Sequence, residues 1–138
     1  MSKSVLDMSM SLDGFVAGPN ETPDNGLGDN GGRLHWWFGF GEETGENGVP
    51  GRPDGVDRDV MGELMATGAV VAGRGTVEPA GWWDGDHHDG VPIFILTRTR
   101  TPDSVARWPL VTVLDDAGEA IARAKEAEIG RASWRERV

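Results

Sequence analysis

The apolar run Ala69-Val70-Val71-Ala72 ends in Gly73-Arg74-Gly75-Thr76. A run this short, bounded by glycines, reads as a buried strand. The segment after it gathers backbone N–H groups, a guanidinium and a hydroxyl where a helix can begin. Such a start suits a phosphate, because unpaired N–H groups and the helix dipole both favour an anion. The same residues also suit a tight strand-to-helix turn with a surface arginine. Thr97-Arg98 closes a second apolar run, residues 91–96, as Arg74 closes the first. Two arginines ending two buried strands can grip the phosphates of one nucleotide, since the planar guanidinium donates two bonds to a phosphate. The plainer alternative is a pair of solvent charges flanking strands.

Asp13 precedes Gly14 at the end of an alternating segment. A carboxylate at a strand end can position a polar heterocycle or act as an acid, and it can equally cap an Asp-Gly turn. The pairs Trp36-Trp37 and Trp82-Trp83 can stack on a flat ring or fill the core. Gly26-Leu27-Gly28-Asp29-Asn30-Gly31 matches the dinucleotide glycine pattern, but no apolar strand precedes it and no helix clearly follows, so it reads as a flexible turn. Asp84, Asp86, His87, His88 and Asp89 are ligand types for a metal, yet neighbours on one loop rarely converge on one ion. They read as a solvated loop, and no metal site is assigned.

The elements that must position these residues follow from periodicity. Leu6, Met8, Met10 and Leu12 alternate with polar residues, which predicts a half-buried strand ahead of the Asp13-Gly14 bend. Residues 18–55 hold most of the Gly, Asn, Asp and Pro and read as loops around one aromatic cluster, Leu34-His35-Trp36-Trp37-Phe38. That cluster must pack on the core or line a pocket. Val60, Met61, Leu64 and Met65 share a helical face, with Asp54 or Asp57 as cap and Gly68 as stop. Strands are expected around Val70 and over residues 91–97 and 110–114, with a turn of helix after Thr76 cut short by Pro79 and Gly81. Asp116 and Glu119 fit a capping box that opens a helix through about Ala127. Strands alternating with helices imply an α/β sheet with parallel neighbours.

Composition narrows the function classes. A chain of 138 residues is expected to form one domain with a sizeable core. A net charge of −10 disfavours nucleic acid and anionic membranes as partners, though it leaves room for a local basic pocket. The absence of cysteine excludes disulfides and cysteine-ligated zinc. No apolar stretch has membrane-spanning length and the N-terminus has no signal-like apolar core, so the cytoplasm is the expected location. Asn20-Glu21-Thr22 fits a glycosylation pattern that matters only in a secreted eukaryotic protein.

Set in order, these segments resemble the dihydrofolate reductase-like family, and more narrowly the branch related to the riboflavin-biosynthesis reductase domain. The resemblance is carried by residues 8–18 (MSMSLDGFVAG), residues 24–29 with Arg33-Leu34-His35-Trp36, residues 68–76, residues 91–98 and residues 110–126. It implies a mixed, mostly parallel sheet flanked by helices, NADPH as hydride donor, and a pteridine, a flavin precursor or a similar heterocycle as substrate. By motif position, Gly73, Arg74, Gly75 and Thr76 would meet the NADPH phosphates. Thr97 and Arg98 would lie near the adenosine ribose and its 2′-phosphate. Asp13 and Gly14 would face nicotinamide and substrate, with Trp36 beside the substrate and Asp13 as the candidate catalytic group. Gly75 stands where that branch often has a larger residue. The family often pairs as homodimers. A non-catalytic nucleotide- or heterocycle-binding module on the same scaffold is the alternative.

The resemblance covers residues 4–127. The family continues into a strand ending in Gly-Gly and further strands, whereas here residues 128–138 read EIGRASWRERV, with three arginines against two glutamates. They resemble a translated sequencing adapter. The expectation is therefore the N-terminal part of one domain over residues 1–127, a non-native tail over 128–138, and an inactive fragment of the reductase.

Overall fold

The computed structural model describes residues 2–38 and 55–135, with side chains to residue 128. The chain divides into two compact units, Val5–Ala66 and Met1–Ser4 with Thr67–Val138.

The second of these is a small α/β unit. Three parallel strands, β1 (Val70–Gly73), β2 (Ile93–Leu96) and β3 (Val111–Leu114), lie in the order β1-β2-β3. The expectation of a parallel α/β sheet holds at this level. β2 is central and covered on both faces, as the unbroken Ile93-Phe94-Ile95 run requires. Ile93 and Ile95 point to one side and pack with Val77, Trp82 and Val105. Phe94 points to the other and meets Ala120 and Ala124 of helix α3 (Ala117–Arg135). Small residues on that face let the helix sit close to the sheet. Gly68 serves the same end, since a Cβ there would lie 2.8 Å from Cγ of Glu128. Gly68 is thus a close-approach residue, three positions past the helix it was expected to stop.

The start of α3 carries half of the expected capping box. The Glu119 amide donates to Asp116 Oδ1 at 2.7 Å, but the Glu119 carboxylate turns to Arg123 instead, also at 2.7 Å. The helix runs past Ala127 to Arg135, further than its apolar face predicts. Once nucleated, a helix extends cheaply through good formers such as Ala, Glu and Arg.

The Val5–Ala66 unit holds helix α1 (Gly55–Met65), half-buried at Met61 and Leu64, against a three-ten turn over Gly31–Phe38. Asp57 sits inside the first turn of α1, and Asp54 lies outside the described residues. The strand expected over residues 6–12 does not form. Leu6 is 90% and Leu12 fully exposed, and no ladder partner runs beside them among the described residues. Alternation alone does not make a strand; it needs a neighbour to pair with.

The glycine-rich stretch 18–31 is a built loop. Gly18 and Asp29 donate to the carbonyls of Leu27 and Pro19, both at 2.7 Å, and the Asp29 carboxylate accepts from Asn20 and Asn25. The backbones cross so closely that a Cβ on Gly28, at φ 69°, would fall 2.1 Å from the Gly18 carbonyl oxygen. The expected flexible turn is therefore an ordered one, and its glycines serve packing. Among the described residues no helix is long and apolar enough to cross a membrane.

Candidate functional site

The ladder pairs Gly73 with Leu96 and Leu96 with Leu114, so all three strands end at one level. Their carboxyl edge is where open α/β sheets receive ligands. Residues 74–76 and 97–98, chosen from sequence, therefore meet at one edge.

Helix α2 (Arg74–Val77) begins directly at the end of β1, with Gly73 as its N-cap in ordinary extended geometry. It is a single turn and offers little dipole. Gly73 and Gly75 have no positive φ, and apart from chain neighbours and the backbone of α2 no atom of the described residues lies within 4 Å of an added Cβ. The chain itself does not require glycine at either position. Bare backbone at a sheet edge is what the close approach of a ligand requires.

The Arg74 guanidinium is turned inward. Its Nε and Nη2 donate to the two carboxylate oxygens of Glu78, at 2.9 and 2.7 Å. Its Nη1 donates to Thr99 Oγ1 at 3.1 Å and to the Arg100 carbonyl at 2.8 Å. Its carbon lies 5.8 Å from the Trp82 ring centre, within cation–π range. The hydrogen bond with Glu78 raises the Arg74 pKa and holds the Glu78 carboxyl below the usual carboxylate range. Thr97 Oγ1 lies 2.9 Å from Thr99 Oγ1 and accepts the Thr99 amide at 3.1 Å. Arg98 and Thr76 are exposed, and among the described residues no hydrogen bond or ion pair engages the Arg98 side chain.

Glu78, Thr99 and Arg100 were not singled out from sequence. The four-residue spacing of Arg74 and Glu78 is a helical ion-pair signal, and Thr97 and Thr99 share the spacing of one strand face. Nothing local in the sequence ties residue 74 to residue 99.

Asp13, Gly14 and Trp36 belong to the Val5–Ala66 unit. Asp13 is in a turn rather than at a strand end. Its Oδ1 accepts Ser11 Oγ at 2.7 Å, and Ser11 Oγ in turn accepts the Phe15 amide at 2.8 Å. Gly14, at φ 92°, supplies the left-handed step of this turn. A cavity of about 560 Å³ opens here, with Asp13 and Arg33 as its charged walls and Phe15 and Leu34 as apolar ones. Gly14 and Trp36 do not line it; Trp36 lies under the Arg33 guanidinium at 5.2 Å. In the same unit Trp37 Nε1 donates to Ser9 Oγ at 3.1 Å, and burial pushes the His35 pKa down.

The loop after Trp83 is held from within, by the Gly90 amide donating to Asp86 Oδ1 at 3.1 Å, and from outside by Thr67. His88 Nε2 lies 3.3 Å from the Thr67 carbonyl. The Nδ1 atoms of His87 and His88 lie 2.6 Å apart. Burial lowers the His87 pKa, the charge of His88 lowers it further, and Asp86 opposes both. Among the described residues no group of three or more His, Cys, Asp or Glu is arranged to hold a metal ion.

Compared with protein families, curated proteins and solved structures, the chain matches none.

Proposed function

We propose that this chain binds NADPH along the carboxyl edge of its parallel sheet, the cofactor site of a reductase type that transfers hydride to a heterocycle such as a pteridine or a flavin precursor. The observation that carries the reading is the edge itself. Two glycines that neither backbone nor packing demands stand beside an exposed arginine with no partner among the described residues, at the level ends of parallel strands. These residues fit a phosphate. The Gly73 and Gly75 backbone, with Thr76, approaches the pyrophosphate, and Thr97 and Arg98 take the 2′-phosphate. Bound NADPH supplies the hydride; the protein supplies orientation and charge.

The reading predicts that NADPH binds more tightly than NADH, because only NADPH carries the 2′-phosphate. Replacing Arg98 with Ala removes charge-assisted bonds worth about 1.5–3 kcal/mol, about tenfold or more in affinity for NADPH, with little change for NADH. Titrations followed by nicotinamide fluorescence check this. Equal loss for both nucleotides removes Arg98 from the phosphate site.

A further inference from the structure

We infer that Arg74 is a positioning residue: it braces the loop over residues 97–100 so that Arg98 faces the nucleotide, and is not itself the principal phosphate ligand. The inference deepens the NADPH reading and rests on it only for the choice of ligand.

Four donor contacts from one guanidinium carry the argument. Two go to Glu78, the C-cap of α2, and two cross to Thr99 Oγ1 and the Arg100 carbonyl beyond β2. A guanidinium has five N–H donors, so four are spent inside the chain. The fork is oriented by a bidentate carboxylate and by the Trp82 ring beneath it. The far end is stitched further, since Thr97 Oγ1 holds both the Thr99 hydroxyl and the Thr99 amide. Arg98 lies between Thr97 and Thr99, so its backbone is fixed from both sides while its own side chain points to solvent. A lysine at position 74 keeps the charge but cannot reproduce the fork.

The test uses the whole chain and two readouts. Arg74→Lys is expected to speed amide hydrogen exchange at residues 97–100 about tenfold while leaving the β2 amides protected. It is also expected to lower the preference for NADPH over NADH towards that of Arg98→Ala. Thr99→Val, which removes one hydroxyl and keeps the shape, gives the same pattern more weakly and stands in if Arg74→Lys does not fold. Unchanged exchange at residues 97–100 overturns the brace. So does an Arg74→Lys chain that loses protection everywhere and keeps its nucleotide preference, which is what a merely structural residue gives. Glu78→Gln separates the rival role: an arginine that binds phosphate directly is released by this change and tightens NADPH, whereas a brace is loosened and weakens it. If the unaltered chain binds no nicotinamide nucleotide, the cofactor reading fails and the exchange measurement still decides the brace.

Discussion

At Gly85 an added Cβ would lie 2.5 Å from Cγ of Trp108, and the backbone there has φ 83°. At Gly73 the same Cβ would meet nothing within 4 Å, at φ −79°. The two glycines have different surroundings, and substitution separates them. Gly85→Ala combines a left-handed backbone penalty with overpacking and is expected to cost about 2–4 kcal/mol in denaturant unfolding. Gly73→Ala is expected to change stability by no more than about 0.5 kcal/mol while weakening NADPH binding. A Gly73→Ala chain that unfolds as readily as Gly85→Ala would return that glycine to a structural role. The contrast is invisible in sequence, where both are glycines beside turns; only the position of Trp108, 23 residues downstream of Gly85, tells them apart.

The elements legible in the sequence were those whose partners are also local or strongly apolar. β2 is a continuous buried run, and α3 announces itself through Asp116 and Glu119. The alternating segment over residues 6–12 has as clear a period as either, yet it has no ladder, because pairing depends on a neighbour that its own pattern does not specify. The segment Gly81–Gly85 was equally hidden. Its five residues all take positive φ, including Trp82, Trp83 and Asp84. Burial of Trp82 among Val77, Ile93 and Ile95 offsets that backbone cost. The turn leads into His87, whose ring packs edge-on to Trp83 at 4.4 Å. Its folded pKa lies below the ordinary imidazole value. The stability held by the neutral ring is therefore complete above that ordinary value and is lost as pH falls through the lowered one. The thermal midpoint is expected to drop between pH 7 and pH 5, and to drop less in His87→Gln. An identical pH dependence in that variant would show that His87 is not the group responsible.

Over the whole molecule, a net charge of −10 contrasts with three arginines, Arg74, Arg98 and Arg100, gathered at one sheet edge. Arg74 is held by Glu78 and the exposed Arg100 pairs with Asp103 at 3.1 Å, while among the described residues no ion pair engages Arg98. An acidic chain with one local basic point suits a small phosphorylated ligand far better than a polyanion. The order of the motifs carries this much: the strands that precede residues 74–76 and 97–98 are neighbours and end at one level. The division of labour between Arg74 and Arg98 was not legible, because it depends on a contact across 25 positions. The most direct test of the account is a titration of the isotopically labelled chain with NADPH, followed by the amide resonances in NMR. Chemical-shift changes centred on residues 73–76 and 97–100, and reduced at 97–100 when NADH replaces NADPH, are the predicted result. Saturating NADPH with those resonances unmoved would contradict it.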